Sequence, residues 1–267
     1  MVNAPRHTLT LWTNDPDRAA WADAAGVDRI GLDLETLGKA KRQEGLPTWI
    51  SPHRFEDLAR IRPGLKHATL FVRANPLHDG SRDEIEALAD ARVGVVMLPN
   101  FQSSTEVGAF LDLARGRFKV APLVERLAAI ETIARLPALG IEEIHVGLND
   151  LSIDLGLNNR LGALVSPAMD RIAAAATHAG LKLGVGGLGR ALDTDLPVAS
   201  DLVYAQQIRL GATGALIARS FFSANMDAAS FAREIGAMRA RLAFWADADA
   251  EALEHARAEL ARVTAGS

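Results

Sequence analysis

Short apolar runs alternate with longer amphipathic stretches along most of the chain. Each run is too short for a helix, and runs of this length and composition are typical of β-strands. We predict eight strands, at Leu9–Thr13, Asp28–Leu34, Ala68–Ala74, Gly94–Pro99, Phe118–Val124, Glu143–Leu148, Lys182–Gly187 and Ala212–Ala218.

The stretches between these runs carry start and stop signals of helices. Asp or Ser precedes Pro at Asp15-Pro16, Ser51-Pro52 and Ser166-Pro167, which is a frequent beginning of a helix. Glycines such as Gly116 and Gly180 end helices just before the next strand. The predicted helices are Pro16–Ala25, Pro52–Arg62, Arg82–Ala91, Thr105–Arg115, Ala128–Leu136, Pro167–Ala179 and Val198–Leu210.

Eight strands separated by seven helices predict parallel βαβ units, and eight is the number of strands that closes a (β/α)8 barrel. We therefore expect an α/β protein of the TIM-barrel class over residues 1–226. A helical tail rich in Ala, Arg and Glu follows, at about Asp227–Val263. We expect residues 227–267 to form a C-terminal helical extension that packs on the barrel or on a neighbouring subunit.

The composition excludes several classes of protein. The chain has 267 residues, 49% of them hydrophobic, and a formal net charge of −4, so there is no basic field to attract nucleic acid. It contains no Cys, which excludes disulfides, thiolate metal sites and a Cys nucleophile. The chain has no secretion signal and no apolar run of the ~18 residues that span a membrane, so we expect a cytoplasmic protein.

In a TIM barrel, reactive groups lie where strands end, at the C-terminal mouth. Carboxylates stand there after three predicted strands: Asp33 and Glu35 after the second, Glu125 after the fifth and Asp150 after the sixth. Strands five and six are neighbours, so Glu125 and Asp150 should converge. Two such carboxylates repel unless a cation or a proton lies between them. A hard divalent cation suits this arrangement, which favours Mg²⁺ or Mn²⁺ with Co²⁺ as an alternative.

Each of these residues also has a purely structural interpretation. Glu125 can pair with Arg126 or Arg73, and Asp150 can cap the helix that begins near Leu151. Arg73 ends an apolar strand, where its guanidinium needs a partner. That partner is either the carboxylate of a ligand or one of the acidic residues after the second strand.

The lysines offer no candidate for Schiff-base chemistry. Lys66, Lys119 and Lys182 precede or begin strands, at the wrong end of a barrel. Lys39 and Lys41 fall in a loop, where we expect them to be solvated rather than buried. Carbonyl chemistry in this barrel would therefore rely on a metal.

Two histidines can reach the mouth. His53 begins the segment after the second strand, and His78 follows the third. Either can act as a general base, although a lone surface histidine is a common alternative.

Five short motifs occur in order along the predicted barrel: Asp33–Glu35 (DLE), Arg73–Pro76 (RANP), Met97–Pro99 (MLP), Pro122–Glu125 (PLVE) and Gly147–Ser152 (GLNDLS). Together they resemble the HpcH/HpaI aldolase/citrate lyase β-subunit family of phosphoenolpyruvate/pyruvate-type barrels. The likeness runs from about Leu9 to Phe221.

The resemblance implies a metal-dependent aldolase, a C–C lyase that acts on a 2-oxo acid such as pyruvate and an aldehyde. Glu125 and Asp150 would hold Mg²⁺ or Mn²⁺, Arg73 would bind the carboxylate or enolate oxygen of the substrate, and Asp33 and Glu35 would belong to the inner polar shell. With His53 added as a substitute for the acid/base group, the candidate catalytic residues are Arg73, Asp33, Glu35 and His53. The substrate would lie against Arg73 and further residues of the matched motifs, namely Asn75, Pro99, Leu123, Leu148 and Asn149. The resemblance also implies a homotrimer or homohexamer, with the C-terminal helices contacting neighbours.

One position departs from the family pattern. The aldolase branch has a His, and the thioester-lyase branch an Asp, where this chain has Thr36. The acid/base group is therefore unassigned, with His53 or His78 as substitutes. Two alternatives remain open: an acyl-CoA thioester lyase of the citryl-CoA or malyl-CoA type, for which Lys39–Arg42 could contact the CoA, and a non-catalytic barrel that binds a small acid.

Overall fold

The computed structural model describes residues 6–39, 51–193, 195–223 and 225–265. Eight parallel strands form one closed barrel in which each strand pairs with the next along the chain. The strands are β1 (Thr8–Trp12), β2 (Arg29–Asp33), β3 (Thr69–Arg73), β4 (Val95–Leu98), β5 (Lys119–Val124), β6 (Glu143–Val146), β7 (Lys182–Leu188) and β8 (Gly214–Ile217). The predicted (β/α)8 fold is confirmed, and every predicted strand lies within two residues of an observed one.

The barrel closes where β8 pairs with β1, with Leu9 opposite Ala215. Helices cover its outer face: α1 (Pro16–Ala24), α2 (Asp57–Ile61), α3 (Ser81–Asp90), α4 (Ser104–Ala114), α5 (Leu127–Ile130), α6 (Leu148–Asp154), α7 (Pro167–His178), α8 (Ser200–Arg209), α9 (Ala228–Ala246) and α10 (Ala250–Ala265). None of the helices in these described ranges is long and apolar enough to cross a membrane.

Side-chain caps begin several of these helices where the sequence predicts them. Asp15 accepts hydrogen bonds from the backbone N–H groups of Asp17 and Arg18, and Ser166 accepts one from Met169. These caps satisfy backbone donors that have no partner inside the helix. The local sequence therefore determines where α1 and α7 begin.

Two helices are shorter than the periodicity predicts. The helix predicted at Pro52–Arg62 forms only at Asp57–Ile61, because the Asp57 carboxylate accepts the Arg54 N–H and holds the preceding residues in a turn. The helix predicted at Ala128–Leu136 ends at Ile130. Beyond it, the Thr132 hydroxyl donates to the carbonyl of Ala129, a local bond that competes with regular helix.

The C-terminal tail consists of two helices that both pack on the barrel's own helices. α9 lies against α1 and α8, which is the place of the eighth helix of the ring, and it buries Phe231, Ile235, Met238 and Leu242. α10 lies outside the ring against α8 and the 3₁₀ turn at Arg160–Val165.

The barrel interior is layered along its axis. Near the N-terminal end, Arg29 and Glu143 form a two-pronged ion pair, with 2.8 Å and 2.9 Å between their paired atoms. Above this pair lies an apolar layer of Phe71, Val95, Met97, Ala121 and Leu123. Alternate residues of each strand face the interior. The next inward-facing positions above the apolar layer, at the C-terminal ends of the strands, hold charged side chains.

Candidate functional site

The site begins with an ion pair between two neighbouring strands. Asp33 ends β2 and Arg73 ends β3, and the two residues lie directly opposite each other in the parallel ladder. Arg73 donates from Nε to Oδ1 of Asp33 at 2.8 Å and from Nη2 to Oδ2 at 2.7 Å. Of the partners that the sequence left open for Arg73, the structure shows both acidic residues: Asp33 along the edge of Nε and Nη2, and Glu35, whose Oε2 lies 3.4 Å from Nη1.

This pairing determines the charge of both groups. Burial would raise the pKa of the Asp33 carboxyl, but Arg73 and then Lys39 hold that pKa far below its ordinary value. Burial likewise opposes the charged form of Arg73, while Asp33, Glu35 and Glu125 raise the pKa of its guanidinium. Both groups are therefore charged near neutral pH.

Lys39 lies inside this site, and the expectation that it is a solvated loop residue is wrong. The residue is 3% exposed. Its Nζ lies 3.0 Å from Oδ2 of Asp33 and 3.6 Å from Oε2 of Glu35. Two carboxylates that lie four and six residues earlier in the chain balance the burial of its charge, and the sequence pattern does not show that the loop turns back onto them. Lys41 and Arg42 lie outside the described residues.

Glu125 follows β5 and is 2% exposed. Its Oε1 accepts a 2.7 Å hydrogen bond from the backbone N–H of Asn100, a residue that follows β4 with a positive φ of 51°. Burial and then the charges of Glu35 and Asp150 raise the pKa of the Glu125 carboxyl to about 8, against a smaller opposing effect of Arg73. Arg126 instead pairs with Asp154.

Asp150 lies in the first turn of α6, which begins at Leu148. The residue is 5% exposed, and its charge acts on Glu125 across the pairing of β5 with β6. It does not cap the helix, because the cap position belongs to Gly147. The predicted convergence of Glu125 and Asp150 is thus present, and Glu35 joins them to form what we call the carboxylate cluster: Glu35, Glu125 and Asp150.

The carboxylate cluster has the type of oxygen atoms that a hard divalent cation prefers as ligands. Among the described residues, the buried acidic side chains at this mouth are Asp33 and the three members of the cluster, and the basic side chains paired with them are Lys39 and Arg73. The more exposed Arg219 also acts on Asp33 through its charge. The acidic excess makes the ionised form of Glu125 costly, and a cation would relieve that cost. The side-chain oxygen of Asn100 is also buried, with no hydrogen-bond partner among the described residues.

The ligand set would be incomplete without further oxygen atoms. Within the described ranges, no group of three or more His, Asp or Glu side chains has the geometry to hold a metal ion. A cation held by Glu125 and Asp150 would therefore keep coordination positions for water or substrate, which suits Mg²⁺, Mn²⁺ or Co²⁺.

The two candidate histidines are both engaged in local contacts. His53 accepts the backbone N–H of Asp33 through Nδ1 at 3.0 Å, and burial lowers its pKa. This contact places the proton of the neutral ring on Nε2. Nε2 of His78 lies 3.5 Å from Glu84. Both rings line a cavity of about 310 Å³ outside the charged site, together with Leu34, Arg54, Phe55, Asn75 and Glu84.

The other predicted substrate contacts fall into two groups. Asn75 braces a loop: its Oδ1 accepts the backbone N–H groups of Thr36 and Leu37, and its Nδ2 donates to Glu84. Pro99 and Asn149 lie at the mouth, Pro99 buried and Asn149 half-buried. Leu123 and Leu148 are core residues, 1% and 6% exposed. Leu123 lies in the apolar layer beneath the charged site.

Sequence reasoning missed three contributors to the site: Lys39, Asn100 and Gly147. A Cβ at position 147 would lie 2.7 Å from Oε2 of Glu125, so only glycine leaves the carboxylate its place. The usable signals were a glycine at the end of β6 and an asparagine directly after Pro99, because Asn tolerates positive φ better than most residues.

No protein-family model matches the sequence, and no curated protein matches it either. Among solved structures, the chain is similar to the crystal structure of an HpcH/HpaI aldolase/citrate lyase family protein from Burkholderia cenocepacia J2315. The TM-score is 0.62 at 18% identity, and the match covers 80% of this chain and 88% of the other. The chain thus shares its barrel fold with a member of the family that its five motifs resemble.

Proposed function

We propose that this protein is a divalent-metal-dependent lyase of the HpcH/HpaI type, which breaks or forms a carbon–carbon bond next to the keto group of a 2-oxo acid. One observation carries the proposal: the carboxylate cluster is buried at the barrel mouth beside Arg73, with too little positive charge to balance it. A barrel that served only as a scaffold would gain nothing from so costly an arrangement.

The residues of the chain have distinct roles in this proposal. Glu125 and Asp150 hold the cation, and the Asn100 N–H keeps the Glu125 carboxylate oriented. Arg73 binds the carboxylate of the 2-oxo acid through Nη1, the guanidinium nitrogen that Asp33 does not take and that lies 3.4 Å from Oε2 of Glu35. When bound, the cation would polarise the keto group and stabilise the negative charge that develops on it.

Thermal melting of EDTA-treated protein tests this proposal. We expect Mg²⁺ or Mn²⁺ to raise the Tm, and pyruvate or oxaloacetate to raise it further only when metal is present. A ligand at about 100 times its Kd adds roughly 2.7 kcal/mol, and each kcal/mol is worth roughly 2–4 °C for a chain of this size.

Variants of the proposed ligands test whether the metal binds at Glu125 and Asp150. Glu125→Gln and Asp150→Asn should abolish the metal-dependent shift, whereas Glu142→Gln should retain it, since Glu142 precedes β6 at the opposite end of the barrel and is exposed. If metal raises the Tm, and acetyl-CoA but not pyruvate raises it further, the result would support the thioester-lyase alternative. No shift with any metal or acid would contradict the proposal.

A further inference from the structure

Cleavage or formation of the bond beside a keto group requires a residue that moves a proton at the neighbouring carbon. The described residues leave few groups at this mouth for that task. The Thr36 hydroxyl is within hydrogen-bond distance of Asn75 Oδ1, and Nδ1 of His53 binds the main chain of Asp33. His78 lies beside Glu84 in the outer cavity.

Among the described residues, Lys39 is a proton-carrying group that reaches into the site and is not one of the proposed ligands of the cation. Its side chain is only 4% exposed, and its Nζ shares Oδ2 of Asp33 and Oε2 of Glu35 with the guanidinium of Arg73. Because the two cations bind the same oxygens, Lys39 is a close neighbour of the group that we propose holds the substrate carboxylate.

The two cations of this pairing differ in their chemistry. Asp33 and Glu35 each pair with both Lys39 and Arg73. The ammonium of a lysine can donate a proton to a reacting atom. Arginine has no such ability, since its guanidinium does not lose a proton in proteins.

We propose that Lys39 is the proton-transfer residue of this site. The inference rests on the proposed function and extends it. In cleavage of a 4-hydroxy-2-oxo acid, the C4 hydroxyl gives its proton to water, the C3–C4 bond breaks and an aldehyde forms at C4. The electron pair of that bond remains with the 2-oxo acid as its enolate. The ammonium of Lys39 donates a proton to C3 and then regains from water the proton that the hydroxyl released, so that no proton is gained or lost overall.

The test uses pyruvate and Mg²⁺ alone, so that the aldehyde need not be known. In D₂O, wild-type protein should exchange the C3 protons of pyruvate for deuterium, which ¹H NMR follows directly. Lys39→Arg should retain the pyruvate-dependent rise in Tm but lose at least ~100-fold in exchange rate, since general acid–base catalysis contributes roughly 10²–10⁴. Lys119→Arg is the matched control, because Lys119 is an exposed lysine at the opposite end of the barrel.

The absence of Cys from the chain permits a second, independent variant. Lys39→Cys introduces a single thiol, and 2-bromoethylamine converts it into a side chain that ends in an amine, as lysine does. Exchange should be lost in Lys39→Cys and regained by at least tenfold after alkylation. This pair carries the test if Lys39→Arg does not fold.

The outcomes separate this inference from the proposed function. Wild-type exchange rates in Lys39→Arg would show that charge alone suffices and would overturn the proton-transfer role, while leaving the lyase proposal intact. The same conclusion follows if alkylation of Lys39→Cys restores nothing. Wild-type protein that neither binds pyruvate nor exchanges its protons would overturn both.

Discussion

At the end of β6, Gly147 faces the carboxylate of Glu125. Its φ of −91° and ψ of 97° are accessible to any residue, so the backbone does not require glycine. The space does, because a Cβ would lie 2.7 Å from Oε2 and 3.0 Å from Cβ of Glu125. Glycine at this position therefore leaves the space that the Glu125 carboxylate needs to keep its orientation.

Gly147→Ala should displace the Glu125 carboxylate and weaken metal binding while the barrel stays folded. We expect the Kd for Mn²⁺, measured from free Mn²⁺ by electron paramagnetic resonance, to rise roughly 10–100-fold, the usual cost of disturbing a supporting contact of a metal ligand. Gly108→Ala in α4 is the control, since nothing lies within 4 Å of the added methyl group. Equal affinity in the two variants would contradict this account.

The site residues differ in how far the sequence reveals them. Glu125 and Asp150 could be predicted, because each is an acidic residue directly after an apolar run and the barrel order makes the two runs neighbours. Lys39 could not, because its burial depends on Asp33 and Glu35 approaching it in space. A lysine beside charged residues in a predicted loop has the same local pattern whether it is solvated or paired.

At the scale of elements, β2 and β3 matter most for the site. The ladder places Asp33 opposite Arg73, so their side chains meet on the inner face without any loop contribution. A register shift of one residue would turn one of the two side chains to the outer face. Strand pairing thus positions the ion pair on which Lys39 also depends.

The two tail helices contribute differently to the fold. α9 fills the eighth place in the ring with four large apolar side chains, and Arg239 on it donates to the carbonyls of His7 and Gly26 and to the Asp28 carboxylate. α10 buries only Ala256, Leu260 and Thr264 and is tied to α7 by an ion pair of Arg257 with Asp170.

Truncation separates these contributions. A chain that ends at Asp247 lacks α10 and should remain a folded barrel with a lower Tm, because little apolar surface is uncovered. A chain that ends at Met226 lacks both helices and should fail to fold, because the ring of helices is then open and the apolar face of α8 and α1 is exposed. Circular dichroism and thermal melting measure both outcomes. Cooperative unfolding of the shorter chain would show that residues 1–226 are an independent domain.

At the scale of the whole molecule, the two ends of the barrel carry different kinds of charge. At the N-terminal end Arg29 and Glu143 are paired one to one in a largely buried ion pair. At the C-terminal mouth, the buried acidic groups outnumber the buried basic ones among the described residues. The first arrangement closes the bottom of the barrel, and the second places unbalanced charge where a ligand can reach it.

The excess of acidic groups at the mouth affects the stability of the whole fold through the pKa of Glu125. Its pKa of about 8 in the metal-free protein exceeds the ordinary value of 4.5, so the folded state binds its proton more tightly than the unfolded state does. The corresponding stabilisation is complete below about pH 4.5 and is lost as the pH rises through 8. With EDTA present, wild type and Glu125→Gln should therefore melt alike near pH 5, and the variant should melt higher near pH 8.5.

Thermal melting across that pH range measures the sign of the Tm difference between wild type and Glu125→Gln. Other titrating groups are common to both proteins and cancel in the difference. A difference in Tm that does not change with pH would mean that Glu125 titrates in its ordinary range, and the charge imbalance at the mouth would then be smaller than the structure indicates.

The sequence by itself determined the barrel, the order of its strands and the end at which reactive groups gather. These follow from local periodicity and from the count of βαβ units, which depend only on neighbours along the chain. The tertiary structure decided which charges are paired: Arg73 with Asp33, Lys39 between Asp33 and Glu35, and Glu125 left with an acidic surplus. The energy of a buried charge depends on distances between residues far apart in sequence, and only the folded chain determines those distances.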